Sequence, residues 1–208
     1  MVQVIQANDI NLVQLSETFG LERTDDELFF PEWQDNLPEL NEGEKQVLNE
    51  VKQDYLHLSR YEILEPIVKL VILSPLLKLA GFYRPPFYLA AEKGIAITSE
   101  DEGTIVRGQI DILVFHPQFW IITIEAKRAK YSLEAAIPQT LAYMLSNPNS
   151  EKSAFGFMTN GSEFQFLKLT KEGAPRYAMT YPLSLYRGDD LYTVVSALKR
   201  LSQLVSLT

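Results

Sequence analysis

GQIDILVFHPQFWIITIEAKRAK, residues 108–130, reads as two strands joined at His116-Pro117-Gln118. Thr104–Phe115 and Phe119–Lys127 are rich in β-branched and aromatic residues, the composition of strands that pack on a core. Charge breaks each apolar run. Asp111 stands inside the first, and Glu125 and Lys127 end the second. A charge on a buried strand needs a partner. Glu125 and Lys127, two apart, point to one face. Asp111 becomes the direct cross-strand neighbour of Glu125 if paired residue numbers sum to 236, which requires an odd-length loop such as Pro117–Phe119. A two-residue loop at Pro117-Gln118 would throw the carboxylates onto opposite faces.

Two carboxylates this close repel, and one stays protonated unless a cation lies between them. Mg²⁺ suits such a site, because it takes carboxylate, water and phosphate oxygens in octahedral geometry. The carbonyl of Ala126 would be a further ligand. Lys127 would orient a water nucleophile or stabilise charge in a phosphoryl transition state. Taken alone, a Glu-x-Lys at a strand end is more often a solvated pair, so the weight rests on its conjunction with Asp111.

Outward from this tract, Asp9 is placed to cap a helix over roughly 10–19, stopped by Gly20. Residues 21–41 read as loop, anchored by Phe29, Phe30 and Trp33. From Glu42 to about Leu64 the apolar residues keep helical spacing. Pro66 and Pro75 then interrupt an apolar stretch ending at Gly81, giving one long kinked arm or two successive helices. Tyr88–Ala91 and Gly94–Thr98 read as short strands. Ser132 caps a helix over about 133–145, which Pro138 either kinks or starts late. Ala154–Thr159 and Glu163–Leu169 form a hairpin about Asn160-Gly161. Leu191–Leu204 is a closing amphipathic helix. The order of elements defines an α/β domain.

Cysteine is absent, which removes disulfides and thiolate chemistry. The first residues lack the basic and apolar regions of a signal peptide, and the most apolar stretch, Ile67 to Ala80, is too short and polar to span a bilayer. A cytoplasmic protein with no membrane partner is the expectation. The net charge of −8 argues against a nonspecific nucleic-acid binder. The acidity is local, however: residues 1–65 carry a net −11 and residues 66–208 a net +3. The acidic third would face away from DNA or restrain its binding. Lys127, Arg128 and Lys130 form a basic group beside the carboxylates, and Arg84, Lys93 and Arg107 would extend a basic cleft from nearby strand ends.

Further pieces line up in order. Glu65 precedes ILSPLLKLAGF; Asp111 and Glu125-Ala126-Lys127 follow; then come Gln139-Thr-Leu-Ala-Tyr143 and Thr159-Asn160-Gly161 before Phe164-Gln165-Phe166. From about Glu65 to about Ser202 the chain resembles the PD-(D/E)xK nuclease superfamily. In particular it is similar to the N-terminal nuclease domain of type I restriction enzyme motor subunits. The resemblance implies that Glu65, on a first helix, is a metal or water-shell ligand, with Glu62 as its fallback. It implies that Gln139 and Tyr143, on one helical face, lie over the site and contact the DNA phosphate backbone or the Lys127 region, while Tyr143 reads equally well as a core aromatic. The proline of the family's name is absent before Asp111, the first 60 residues do not match, and no G-x-x-x-x-G-K-[ST] loop for ATP is present.

The expected fold is therefore a restriction-endonuclease-like mixed central sheet flanked by helices. Residues 1–41 would form an N-terminal extension packed on the core, with its helix, and 42–208 the nuclease domain. The expected function is Mg²⁺- or Mn²⁺-dependent DNA hydrolysis. Asp111, Glu125, Ala126 and Glu65 would hold the metal, Lys127 and Gln139 would complete the catalytic group, and Arg107, Arg128, Lys130 and Tyr143 would bind DNA. A homodimer or a restriction-system partner subunit would supply a second site. The rival expectation is a catalytically inactive nuclease-fold module for nucleic-acid binding or assembly.

Overall fold

The computed structural model describes residues 3–98, 104–116, 119–126 and 131–206, with backbone alone for 3, 116, 119–125, 205 and 206. The chain opens with strand β1 (Gln3–Gln6) and helix α1 (Leu12–Phe19). Asn11, not Asp9, caps α1. Its side chain accepts the Gln14 N–H at 2.9 Å and the Gln14 side chain accepts the Asn11 N–H at 3.0 Å, a reciprocal box that Asp9 has no residue to complete. Gly20 ends the helix as expected. A short strand β2 (Glu22–Arg23) and a 3-10 turn at Pro31–Trp33 interrupt the following loop, which buries Phe30. Helix α2 (Glu42–Leu58) starts from a second such box, Asn41 with Glu44. It stops six residues short of Leu64, and Ile63 is buried from the loop instead.

The two successive helices are real, and the second passes through its prolines. It comprises α3 (Glu65–Val68), a π turn at Lys69–Leu73 and α4 (Ser74–Leu79). Pro66 sits in the first turn, where no N–H is needed. Ahead of Pro75 the Ser74 N–H reaches the Lys69 carbonyl, five residues back. The widened turn lets the helix absorb a residue that has no N–H and would strike the carbonyl of an ordinary turn. Val68, Ile72, Leu73, Leu76 and Leu77 are all fully buried along it.

The remaining strands are β3 (Tyr88–Thr98), β4 (Thr104–His116), β5 (Phe119–Ala126), β6 (Ala154–Thr159), β7 (Glu163–Thr170), β8 (Arg176–Met179) and β9 (Leu183–Ser184). The two short strands expected at 88–98 are one. The sheet runs β1-β4-β5-β6-β7-β8-β2, with β3 also on β4 and β9 on β7. β1/β4, β5/β6 and β2/β8 are parallel and the other pairs antiparallel, so the sheet is mixed. Residues 3–23 thus supply strands at both ends of that path. Between β5 and β6 lie a 3-10 turn (Leu133–Ala136), capped by Ser132, and α5 (Ile137–Leu145). Pro138 falls in the first turn of α5 and starts it late rather than kinking it. Helix α6 (Asp190–Ser206) closes the chain. Two apolar clusters cover the two faces of the sheet: one against α2, α3, α4 and α6, the other against α1 and α5. Among the described residues no helix is long and apolar enough to cross a membrane.

The acidic N-terminal third is tied to this core by ion pairs. Glu44 bonds Lys199 of α6 at 2.7 Å. Burial alone would raise the Glu44 carboxyl, but the hydrogen bonds from Lys199 and the Asn41 backbone, with the lysine charge, hold it below its ordinary value. Glu32 bonds Lys168 of β7 at 2.6 Å, with side chains only 17% and 11% exposed, and the second Glu32 oxygen is buried without a hydrogen-bond partner among the described residues. Removing one partner of such a pair leaves a buried charge. Lys168→Met is expected to lower the unfolding free energy by about 3 kcal/mol, and Lys168→Met with Glu32→Leu by much less. Denaturant titration of both variants checks this. Equal losses would show that Glu32 is well solvated.

Candidate active site

The ladder between β4 and β5 reaches the expected register by an unexpected route. Ile112 pairs with Ile124, Leu113 with Thr123 and Val114 with Ile122, the sum of 236. Beyond Val114 the register shifts: Phe115 pairs with Trp120 and His116 with Phe119. Only 117 and 118, outside the described residues, separate that last pair, so the odd-length loop is not what sets the register. Ile121 is skipped by the ladder, and this one-residue bulge compensates for the even connection. Among the described residues the ladder ends at Ile112–Ile124, and beyond it the Ala126 N–H of β5 donates to the Asp111 side chain of β4.

Asp111 also marks an inversion of the sheet. Opposite it on β3, Glu92 has a left-handed φ of 53°, and its carbonyl accepts the Gln109 side chain at 3.0 Å. Pairing continues on both sides, Ala91 with Ile112 and Lys93 with Ile110. Before this point even-numbered Val106 and Ile110 join the cluster against α5; beyond it odd-numbered Leu113 and Phe115 do. Both strands therefore turn over at the Glu92–Asp111 pair. A non-glycine residue at positive φ costs about 1–3 kcal/mol and persists where surrounding contacts enforce it.

The Asp111 carboxylate, 17% exposed, is held from two sides. One oxygen accepts the Ala126 N–H at 2.8 Å, and the other accepts the Lys69 ammonium at 2.8 Å. The same ammonium lies 2.7 Å from a carboxylate oxygen of Glu65, the first residue of α3. Burial by itself would lower the Lys69 pKa; its hydrogen bonds and charge contacts with Asp111 and Glu65 outweigh that and raise it. Lys69 had no role in the sequence expectation, although its spacing of four from Glu65 is the familiar helical ion-pair spacing. Glu62, the fallback ligand, is exposed in the loop before α3 and shares no helical face with Glu65.

A cleft of about 670 Å³ opens beside this group, and Glu65, Arg107, Asp111, Gln139 and Tyr143 all line it. Gln6 and Asn8, from the N-terminal segment, line it too and were not foreseen. The Gln139 amide donates to the Tyr143 hydroxyl at 2.7 Å. Tyr143 is 1% exposed, so its ring is a wall of the cleft. Arg107 is exposed, as are Arg84 and Lys93. Ala126 is buried. Glu125 is described in its backbone only, and Lys127, Arg128 and Lys130 lie outside the described residues.

The Thr159-Asn160-Gly161 turn braces the chain beyond Lys127. The Asn160 side chain accepts the Ser162 and Glu163 N–H groups and donates to the Tyr131 carbonyl at 2.9 Å, fixing the chain just past residue 130. Gly161 has φ of +93°, and an added Cβ would lie 2.6 Å from the Tyr55 ring, so conformation and space both require glycine.

Glu65 and Asp111 already converge on one positive centre, the lysine nitrogen, with hard oxygen donors. Mg²⁺ binds such oxygens at about 2.0–2.1 Å, so the pair fits a small divalent ion after closing in by less than about 1 Å each. Among the described residues no group of three or more His, Cys, Asp or Glu gathers for a metal. The Glu125 side chain, the expected third carboxylate, is not one of those described.

An α/β chain with a mixed sheet and a carboxylate-lined cleft at the junction of two strands and a helix is thus defined. It belongs to the family of type I restriction enzyme R protein N termini, whose model matches residues 11–174, so the match takes in most of the first 60 residues, which the sequence motifs alone leave outside it. One solved structure similar to it is a fragment of a putative HsdR subunit of a type I restriction enzyme from Vibrio vulnificus YJ016. The identity is 18% and the TM-score 0.40, over 66% of this chain and 26% of that one. This chain therefore corresponds to about a quarter of that relative's length. None of the curated proteins matches its sequence.

Gly108 gives a direct test of the cleft wall. A Cβ there would meet Tyr143 at 2.8 Å and Ala7 at 2.6 Å, whereas one at Gly94, lining the same cleft, would meet nothing within 4 Å. Gly108→Ala is expected to cost about 1–3 kcal/mol by overpacking, and Gly94→Ala less than about 0.5 kcal/mol. Equal midpoints in urea unfolding would mean that the Tyr143 ring does not press on β4.

Proposed function

We propose that this chain is a nuclease module of a type I-like restriction system that hydrolyses DNA phosphodiester bonds with Mg²⁺ or Mn²⁺. The observation that carries the reading is the convergence of Glu65 and Asp111 on a single cation at 2.7 and 2.8 Å, at the mouth of the cleft. Glu65, Asp111, Glu125 and the Ala126 carbonyl would hold the metal. A bound divalent ion supplies Lewis-acid polarisation of a phosphate oxygen and acidifies water. The chain's own groups do the rest. The Ala126 N–H keeps one Asp111 oxygen oriented. The Lys127 ammonium stabilises charge developing on the phosphoryl oxygens. Gln139, steadied by Tyr143, presents its amide to the cleft, and Arg107, Arg128 and Lys130 contact flanking phosphates. Cutting both strands requires a second copy or a partner subunit.

One observation favours a second reading, a nuclease-fold module that binds or assembles without cutting: the Lys69 ammonium already occupies both carboxylates in ion pairs. A cleavage assay on duplex, single-stranded and branched DNA with Mg²⁺ or Mn²⁺ separates the two. Wild type is expected to cut at least one substrate, with Asp111→Asn and Lys127→Ala slower by about 100-fold or more. Wild type no faster than buffer on every substrate leaves the assembly reading standing.

A further inference from the structure

Lys69 makes the two ion-pair contacts that hold the cleft's carboxylates together. Its nitrogen lies 2.7 Å from Glu65 and 2.8 Å from Asp111, residues from a helix and a strand that are 46 positions apart in sequence. The seat between these oxygens is the one that the proposed function gives to a divalent ion. We propose that Lys69 is a tethered stand-in cation: it fills the metal seat in the metal-free protein and swings out when a divalent ion enters. The inference rests on the metal-dependent reading of the cleft and adds a competitor to it.

Three features support it. Two partly buried carboxylates facing one point repel strongly in a medium less polar than water, and a single positive centre relieves this. The ammonium and a divalent ion cannot share the seat, since both are cations and both need the same oxygens. Lys69 also has a way out. Its side chain is 27% exposed, and a flexible four-carbon stem can carry the charge into water, where an ammonium is strongly hydrated. The regular turn of α3, in which the Lys69 N–H reaches the Glu65 carbonyl, holds Glu65 and Lys69 one turn apart on a single face. Lys69 thus holds the two carboxylates together, and a divalent ion must displace that ion pair to enter.

The test is Mn²⁺ binding by calorimetry, without DNA, for the full chain, Lys69→Met and Asp111→Asn. Lys69→Met is expected to bind Mn²⁺ about tenfold or more tighter than wild type, and Asp111→Asn to lose binding. A second measurement needs no variant: acetylation of Lys69 in wild type, followed by peptide mass spectrometry, is expected to rise several-fold on Mn²⁺ addition as the amine leaves its carboxylates. Asp111-dependent Mn²⁺ binding with unchanged Lys69 labelling, or with equal or weaker affinity in Lys69→Met, overturns the stand-in while leaving the metal-dependent reading intact. Failure of both wild type and Lys69→Met to bind Mn²⁺ overturns both.

Discussion

One carboxylate ties the cleft together. Asp111 accepts the last described N–H of β5, receives a lysine from the helix packed across the sheet, and stands where β3 and β4 turn over. Each contact satisfies a group that would otherwise be left wanting. The Ala126 N–H would be a buried donor without a partner; the lysine would be a half-buried charge; the carboxylate itself would be an anion inside an apolar strand. Leaving a buried hydrogen-bonding group unmet costs about 1–3 kcal/mol, and more for a charge, so the arrangement is mutually enforcing. Geometry that serves packing and geometry that serves a cation coincide at this residue.

How far the sequence reveals this arrangement depends on the range of the interaction. Alternating and apolar runs located β4 to β7 closely, and Asn160-Gly161 located their second hairpin. The register sum of 236 was also legible, because it follows from requiring Asp111 and Glu125 to meet. The device that achieves it was not. Trp120-Ile-Ile-Thr123 is uniformly strand-forming, so nothing local says that Ile121 is the residue the ladder skips. Asp9 and Asn11 are both acceptable caps, and only the Gln14 partner decides between them. Pro75 looks like a break until the π turn is seen. Lys69 was hidden for a similar reason. Its pairing with Asp111 spans 42 residues and leaves no local mark, although its spacing from Glu65 was visible.

The charge asymmetry along the chain acquires a physical meaning. The acidic third supplies Glu32 and Glu44 to lysines of the C-terminal two-thirds, so part of its charge serves as ties to the core. What its first residues offer to the cleft is neutral: Gln6 and Asn8, amides that can donate to an anion without repelling it. Glu65 is the acidic residue of this third that reaches the cleft, and its charge is taken up by Lys69.

The pieces that carried the family resemblance fall into two physical kinds. Glu65 and Asp111 present oxygen atoms to a cation. Tyr143, Asn160 and Gly161 instead fix positions: a ring buried against Gly108, an amide that clamps the Tyr131 carbonyl, a turn too tight for any side chain beside Tyr55. The second kind matters to chemistry because a metal or phosphate site tolerates displacements of only about half an ångström. Strand β5 carries the bulge at Ile121, and a few residues past its end Asn160 clamps the Tyr131 carbonyl across 29 positions of sequence. The described backbone along this stretch is therefore held at three points: the bulge at Ile121, the Asp111 carboxylate on the Ala126 N–H, and the Asn160 amide on the Tyr131 carbonyl.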